Sequence, residues 1–220
     1  MKRPVSVMAA VLVMALCGGA VAQSNLDLGF KLGGGMSKLN IQDVDWKMGL
    51  DGGAFFNIGI TPGLSIQPEV LYAQKGMKID LMGLGEFEWK MDYVEVPILV
   101  KRAISTSGNV RPVFYTGPVV SFLTSAKQTT SLMGIEEEED IKEVFTGTDI
   151  GLAVGAGLDW LVGTSGKVVM DVRFTISLSD NFDKGSPLVQ PIGAGDESLR
   201  NWNMAFMIGY GFWLGEKGGS

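Results

Sequence analysis

The sequence predicts an all-β fold: an eight-stranded antiparallel up-and-down transmembrane β-barrel, preceded by a cleaved signal peptide. Three observations lead to this prediction. Apolar residues alternate with small or polar ones along several segments, short and long connections alternate between those segments, and the chain begins with the parts of an export signal. With 31 glycines and no convincing segment of helical period, strands are favoured over helices.

The export signal occupies residues 1–22. A basic start precedes an apolar run that is too short to cross a bilayer as a helix, and a small-x-small cleavage pattern ends at Ala22. Cys17 raises the alternative of a lipoprotein signal, but the bulky Leu16 stands before it, where such a signal needs a small residue. We therefore expect cleavage after Ala22 and a barrel domain over 23–220, which would contain no cysteine and no disulfide.

The composition excludes several classes of function. The chain has 18 Lys and Arg against 24 Asp and Glu, a formal net charge of −6, so no nucleic acid partner is expected. It contains no histidine, and its one cysteine lies in the predicted signal peptide, which removes Ser-His and Cys-His nucleophiles and the usual zinc sites. A mechanism built from carboxylates alone stays formally open, but we expect no catalytic site, no cofactor and no metal, and a protein that is not an enzyme.

The clearest strand is the last, where apolar or aromatic residues take every second position from Trp202 to Leu214. Segments 149–160 and 168–178 repeat this alternation and are joined by the tight turn 163–166. Five further strands complete the count of eight; they are predicted at 26–36, 46–60, 64–79, 86–103 and 111–124.

The connections between these strands alternate in length. Short turns are predicted at 61–63, 105–109 and 163–166, and longer links at 37–45, 79–86, 125–147 and 180–200. In an up-and-down barrel all short turns would lie at one end and all long links at the other. That asymmetry is typical of outer-membrane barrels, and an even number of strands would place both termini on the periplasmic side.

Two local features refine the strand prediction. The alternation is broken near Asp92-Tyr93 and near Gly117-Pro118, which predicts a β-bulge in the fourth or fifth strand. Tryptophans close to strand ends suit the interfacial girdles of a membrane barrel; they are Trp46, Trp89, Trp160, Trp202 and Trp213.

A soluble ligand-binding barrel of the lipocalin or avidin type is the alternative for such a pattern. It would place its apolar residues inside and its polar residues outside. Here the face opposite the apolar one carries glycine, alanine and charges such as Asp171 and Arg173, a poor lining for an apolar pocket. A soluble barrel would also expose the apolar stripe of the last strand to water, so the membrane interpretation is favoured.

Several segments resemble the PorT-like outer membrane β-barrel domain family of Bacteroidetes-type bacteria. They are GFKLGG at 29–34, LSIQPEVLYAQKG at 64–76, YVEVPILVK at 93–101, Gly117-Pro118 and the stretch 155–158. The resemblance covers nearly the whole barrel domain. It implies a small outer-membrane barrel; PorT itself is associated with a protein secretion system, but no residue here assigns that role.

The last strand also resembles the signal recognised by the barrel assembly machinery. Gly209, Phe212 and Leu214 stand at the alternating places of that signal, although six residues, Gly215 to Ser220, follow them. The resemblance implies outer-membrane lipid and the assembly machinery as partners.

Charged residues at inward positions predict a network inside the barrel. The candidates are Glu69, Lys75, Glu95, Lys101, Asp171 and Arg173. Buried charges must be paired, and an eight-stranded barrel is only wide enough to be filled by side chains, so a structural plug is favoured over a narrow ion path.

An acidic run is predicted to lie in an external loop, formed by Glu136, Glu137, Glu138, Glu139 and Asp140. Such a run is usually a solvated, mobile segment; the sharper alternative is that it collects divalent cations or a basic partner.

Three functions therefore remain open. The protein is a structural or surface-interaction protein with a possible envelope protein partner, or a small pore or accessory barrel of a secretion or uptake complex, or a soluble periplasmic ligand binder. The outward apolar stripe argues against the soluble ligand binder, but it does not distinguish the structural protein from the pore or accessory barrel.

Overall fold

The computed structural model describes residues 26–40, 45–80, 85–132, 135–179 and 200–214, so the predicted signal peptide lies outside the described residues. This part of the chain forms nine strands and one short 3-10 turn, Lys142–Val144. The strands are β1 Leu26–Leu39, β2 Lys47–Thr61, β3 Leu64–Asp80, β4 Gly85–Ala103, β5 Val110–Leu132, β6 Ile135–Asp140, β7 Thr148–Val162, β8 Gly166–Ser177 and β9 Asn201–Trp213.

Eight of the strands close into an antiparallel up-and-down barrel, which confirms the predicted fold class. Each of these strands pairs with its neighbours along the chain, except that β5 is followed in the ring by β7, because the short β6 pairs with the far end of β5. The ring closes between the first and last strands, for example at Leu28 opposite Phe212. Closure gives every barrel strand a hydrogen-bonded neighbour on both sides.

The two ends of the barrel differ as predicted. Three brief connections, 62–63, 104–109 and 163–165, lie at one end together with the beginning of β1 and the end of β9; we call this the short-turn end. Strands β1, β3, β5 and β8 end at the opposite end, which we call the long-loop end. Among the described residues, no helix is long and apolar enough to span a bilayer.

The outer surface of the barrel is apolar. Leu32 on β1 and Phe206 on β9 are exposed by 63% and 56%, although both are large hydrophobic residues. On β4 the outward positions change from charged, at Glu86, Glu88 and Lys90, to apolar, at Val94, Val96, Ile98 and Val100. This arrangement suits a hydrocarbon band and is the reverse of a soluble ligand-binding barrel, so that alternative is wrong.

One of the two predicted bulge positions is confirmed. The pairing of β4 with β5 shifts between Asp92 and Tyr93, and the extra residue is Thr124 on β5, whose hydroxyl donates to the carbonyl oxygen of Asp92 at 2.9 Å. Around Gly117-Pro118 the register continues without a shift, so the prediction of a break there is wrong. Both residues keep the in-and-out alternation, because Gly117 is buried and Pro118 is exposed.

The girdle prediction fails for two of the five tryptophans. Trp89 is 2% exposed and lies inside the barrel, and the ring of Trp213 lies beneath the inward Lys167 ammonium group, 5.4 Å away. Trp46, Trp160 and Trp202 are exposed on the outer surface. The position of a residue in the alternation along its strand, and not its nearness to the strand end, decides which face it points to. Trp89 and Trp213 both occupy inward positions.

The link predicted over 125–147 is the largest departure from the predicted boundaries. Strand β5 continues through this segment to Leu132, and β6 folds back on it with Ile135 opposite Leu132 and Asp140 opposite Lys127. With β3 and β4 alongside, these strands form a sheet that continues past the point where β7 stops pairing, at Thr148 opposite Phe122. We call the part of β4, β5 and β6 beyond this point the hairpin extension.

The lipid-facing band can be tested at Phe206, which lies near the middle of β9. Replacing Phe206 by Arg is expected to destabilise the folded protein in lipid vesicles by about 2–4 kcal/mol, because a charge is then placed in hydrocarbon. The matched Trp202→Arg, near the long-loop end of the same face, should cost no more than about 1 kcal/mol. Urea titration of both variants measures the difference; equal stabilities would contradict the position of the band.

Candidate functional site

All six residues predicted to line the lumen have buried side chains inside the barrel. Six further charged residues join them; they are Asp27, Lys31, Asp51, Asp149, Asp159 and Lys167. Strand parity could have found the missed residues, because each occupies an inward position of its strand. The predicted residues fall into three groups along the barrel axis.

The first group lies nearest the short-turn end and links four strands. The Lys167 ammonium group lies 2.8 Å from Asp27 Oδ2 and 2.9 Å from Asp159 Oδ2, and Lys101 lies 2.9 Å from the other oxygen of Asp159. Asn57 also donates to Asp27, at 3.0 Å. Two acids and two bases balance, so this short-turn network has no net charge.

The second group, the central network, is built around Glu69. Arg173 donates two hydrogen bonds to the Glu69 carboxylate, at 2.8 and 3.0 Å, and Lys31 donates a third at 2.8 Å. Lys31 also reaches Asp171 at 3.3 Å, and the Tyr115 hydroxyl donates to Asp171 at 2.6 Å. Again two acids face two bases, contributed by strands β1, β3 and β8.

Gly155 makes room for this arrangement. A Cβ at Gly155 would lie 2.3 Å from Cζ of the Tyr115 ring, so any larger residue would displace the phenol that donates to Asp171. The guanidinium group of Arg173 lies 5.2 Å from the centre of the same ring, a favourable cation-π distance. A small residue on β7 therefore positions an aromatic ring from β5 against the charges of β8.

Gln67 joins the short-turn and central networks. Its amide nitrogen donates to Glu69 at 2.7 Å, and its amide oxygen accepts from Lys101 at 3.4 Å. A cavity beside it, lined in part by Lys31, Lys101 and Asp171, has room for about one water molecule. Side chains thus occupy this part of the lumen, as expected for a barrel of eight strands.

The third group, which we call the upper layer, lies nearer the long-loop end. Lys75 forms an ion pair with Glu95, which also accepts a hydrogen bond from the Ser121 hydroxyl at 3.1 Å. Asp149 accepts from Ser177, at 2.5 Å. Asp51 accepts only a long hydrogen bond, 3.5 Å, from the Asn203 amide, so this layer is less completely paired than the two below it.

An apolar lid covers the upper layer. It is formed by Leu39, Met77, Trp89, Met91, Tyr93, Leu123, Ala126, Ile141, Val144 and Phe145, all of them buried. The 3-10 turn brings Val144 and Phe145 into this cluster, and Phe145 packs edge-on against Trp89 with ring centres 5.5 Å apart. The lid covers the buried charges and is itself built in part from inward side chains of the hairpin extension.

The acidic run forms a strand, which corrects the expectation of an irregular loop. Glu136 to Asp140 make up nearly all of β6, and every residue of that strand is exposed. Strand alternation divides the run between two faces: Glu136, Glu138 and Asp140 lie on the face of Glu86 and Glu88, and Glu137 and Glu139 lie on the opposite face. This exposure agrees with the prediction of a solvated segment. The segment is not a mobile loop, because its backbone pairs with β5 along the whole of β6.

Cross-strand ion pairs cover the outer face of the hairpin extension and of the adjoining end of β3. Lys78 lies 2.6 Å from Glu86, and Lys127 lies 2.5 Å from Glu138. The hydrogen bond with Lys127 lowers the pKa of Glu138, and Glu138 in turn raises the pKa of Lys127. Such a charged surface is unsuited to hydrocarbon and suits water.

The described residues bring no three carboxylate, histidine or cysteine side chains into a group that could hold a metal ion. Each carboxylate of the short-turn and central networks accepts from at least one lysine, arginine, tyrosine or asparagine donor. These ion pairs and hydrogen bonds therefore neutralise the buried charges inside the barrel.

Comparison with known proteins identifies a family. A family model described as an outer membrane protein beta-barrel domain matches residues 21–183. No curated protein matches the sequence significantly.

Similar solved structures include three small barrels. Neisserial surface protein A is 13% identical, with a TM-score of 0.47, over 84% of this chain and 95% of that chain. Ail of Yersinia pestis is 14% identical, with a TM-score of 0.43, over 86% and 99%. OprG of Pseudomonas aeruginosa is 12% identical, with a TM-score of 0.45, over 88% and 98%.

The dependence of the barrel on its central network can be measured at Glu69. Glu69→Gln should destabilise the protein by about 3–5 kcal/mol, because Arg173 and Lys31 lose the charge that compensates their burial. The matched Glu86→Gln breaks the exposed pair with Lys78 and should cost at most about 1 kcal/mol. Denaturant titration in the same detergent compares the two; similar losses would contradict the structural role of the central network.

The exposed pair on the hairpin extension should respond to pH. Since Lys127 lowers the pKa of Glu138, the pair persists as the pH falls until it passes below that lowered pKa. Replacing Lys127 by Met should raise the pKa of Glu138 toward its ordinary value, whereas Lys78→Met should leave it unchanged. Side-chain NMR titration reports both values, and an unaltered Glu138 midpoint in the Lys127 variant would contradict the pairing.

Proposed function

Because the chain belongs to the outer membrane protein β-barrel domain family, we propose that it is a non-enzymatic integral outer-membrane protein with a structural or surface-interaction role. The filled lumen carries this proposal: ion pairs cross the inside of the barrel, and an apolar lid covers them. A barrel of this kind offers its outer surface and its long-loop end for contact rather than a path for solutes.

The main competitor is a small pore. An ion path through eight strands would need a continuous polar, hydrated route. Along the axis such a route would meet the Arg173–Glu69 pair, whose side chains are almost completely buried, and then the Trp89–Phe145 contact of the lid. Opening it would separate buried charges from their partners, which is strongly unfavourable, so these contacts favour the structural role.

The hairpin extension supports a role in surface contact. A membrane strand needs roughly 9–11 residues to cross the bilayer, and β5 has 23. The excess carries charged outward residues in place of the apolar band. It therefore offers a stable, water-exposed sheet at the long-loop end, and we propose that this sheet contacts an envelope protein partner or the surroundings of the cell.

The absence of catalysis is part of the proposal. The full chain has no histidine, and the central carboxylates Glu69 and Asp171 serve as counterions for Lys31 and Arg173. A carboxylate held in such pairs is poorly placed to exchange protons with a substrate.

The proposal includes the topology and biogenesis inferred from the sequence. The signal peptide is removed after Ala22, both barrel ends of the chain face the periplasm, and the long-loop end faces outward. Outer-membrane lipid and the barrel assembly machinery are the partners during biogenesis, and no nucleic acid is bound. The apolar band and the charged hairpin extension support this orientation.

The narrower assignment to the PorT-like group is also proposed. It rests on the segments 64–76 and 93–101, which form the adjacent strands β3 and β4 and place Glu69, Lys75 and Glu95 inside the barrel. A role in a secretion or uptake complex would add a partner to this proposal without requiring an open lumen.

A planar-bilayer recording tests the closed lumen. The refolded full-length protein is expected to insert without producing current steps, because the central network and lid leave no hydrated path. Phe145→Ala, which opens only the lid, should also be silent, since the ion pairs below it remain. Reproducible single-channel steps from the unaltered protein would overturn the closed-barrel proposal and favour the pore.

Labelling of whole cells tests the orientation. Glu137→Cys on β6 should react with a membrane-impermeant maleimide on intact cells, whereas Ser107→Cys in a short turn should react only after the outer membrane is permeabilised. The unaltered protein, which contains no cysteine once the segment up to Ala22 has been removed, measures the background labelling. The reverse labelling pattern would place the long-loop end in the periplasm.

A further inference from the structure

The outward cations near the long-loop end differ in their partners from one side of the barrel to the other. On the side formed by β3 to β6 they pair with carboxylates; these cations are Lys78, Lys90 and Lys127. Lys38 on β1 and Arg200 just before β9 form no ion pair within the described part of the chain. Among the described residues, the outward positions of β7, β8, β9, β1 and β2 carry no acidic side chain.

Lys38 and Arg200 are neighbours on the outer surface. Lys38 lies opposite Trp202 in the pairing of β1 with β9. Beyond that pair, the Asn40 backbone N–H donates to the carbonyl oxygen of Arg200 at 3.1 Å. The Arg200 backbone N–H in turn donates to the side-chain oxygen of Asn40 at 2.7 Å. Arg200 therefore lies two positions from Trp202 on the same face, as a diagonal neighbour of Lys38.

Two exposed tryptophans flank these cations. The Lys38 ammonium group lies 5.1 Å from the centre of the Trp46 ring. Trp202 packs edge-on against Phe174, with ring centres 5.9 Å apart, so its ring is held in place. We call these four residues the basic-aromatic patch: Lys38, Trp46, Arg200 and Trp202.

The basic-aromatic patch lies where the apolar band ends. On β1 the outward residues of the segment 28–36 are apolar or glycine, and Lys38 is the next outward position. The length of this segment matches the roughly 9–11 residues with which a tilted strand crosses the hydrocarbon. On β9 the outward residues from Met204 to Phe212 are likewise apolar or aromatic, and Trp202 stands at their long-loop end. The two cations therefore lie at the height of the lipid headgroups.

We propose that the basic-aromatic patch binds the phosphate group of an anionic lipid in the leaflet at the long-loop end. Lipid phosphates lie at this height, and two neighbouring cations without carboxylate partners attract them. The Arg200 guanidinium group can bind two phosphate oxygens at once, and Lys38 adds a compact charge beside it. Tryptophan rings suit the same interface, because one part of the ring is apolar and the other can donate a hydrogen bond.

This inference rests on the proposed insertion of the barrel in the outer membrane, and it adds a lipid class and a side of the barrel. The side formed by β3 to β6 has its outward cations neutralised by the protein itself. The side formed by β9, β1 and β2 leaves this neutralisation to the lipid. A phosphorylated lipid is therefore expected to bind one side of the barrel and not the whole circumference.

The probe is diphosphoryl lipid A, a lipid that carries two phosphate groups. The full-length protein is refolded in a neutral detergent, treated with EDTA and titrated with this lipid, and native mass spectrometry counts the lipids retained. One lipid A per chain should bind with saturation. Lipid A from which both phosphates have been removed should bind at least tenfold more weakly, since only the acyl chains and sugars remain.

Two pairs of substitutions locate the site. The double variant Lys38→Gln, Arg200→Gln should weaken lipid A binding at least tenfold, because each basic residue near an anionic lipid contributes about fivefold. The matched double variant Lys78→Gln, Lys90→Gln removes the same charge from the opposite side and should bind lipid A as the unaltered protein does. A boiling-dependent gel shift verifies that both variants are folded.

The proposal is overturned if the Lys38, Arg200 variant binds lipid A unchanged, or if the two double variants lose affinity equally. Equal binding of the dephosphorylated lipid would show that phosphate is not recognised. Displacement of lipid A by equimolar inorganic pyrophosphate would assign the patch to a soluble anion, and no retained lipid at all would favour an acidic protein partner instead. Because the titration is made in detergent, none of these results depends on the conductance or the orientation of the barrel.

Discussion

Burial of charge inside a narrow barrel is the constraint on which the rest of this structure depends. The interior of eight strands is only wide enough for side chains, so a charge that points inward must be compensated by a charge from another strand. Lys31, Glu69 and Arg173 meet this requirement across the lumen and connect β1, β3 and β8. A slip of one residue in any of these strands would turn its charge toward lipid and its apolar residues toward the network. The ion pairs and the apolar band therefore specify the same register.

The same constraint divides the molecule along its axis. Above the upper layer, the chain builds a lid from inward residues of several strands and from the segment at the 3-10 turn, and Phe145 packs on Trp89 within it. Level with the lid, the outward positions of β4 become charged, at Lys90 and Glu88. The lipid-facing barrel with its sealed interior and the water-exposed sheet are therefore built from the same strands.

The sequence predicted the barrel well because its information is periodic. Alternation identified the last strands almost to the residue, and the alternation of short and long connections gave the topology. Periodicity failed where long-range packing decides the outcome. The continuation of β5 beyond residue 124 depends on its pairing with β4 and β6, and the inward position of Trp89 depends on the lid that receives it. In the lumen, the alternation along the strands identified half of the charged residues. Which acid pairs with which base depends on the curvature of the closed sheet, as the contact between Lys31 and Asp171 shows.

The free edge of β6 has a consequence for the behaviour of the protein in a crowded membrane. The barrel has no edges, but the hairpin extension does: β6 pairs only with β5 among the described strands. An unpaired strand edge is a template on which further strands can be added, and in a protein confined to two dimensions such contacts would spread laterally. All five acidic residues, Glu136 to Asp140, lie on this edge strand, so two copies brought edge to edge would oppose like charges. Such charges on an edge strand oppose edge-to-edge association of two copies, while pairing with β5 keeps the sheet of the extension intact.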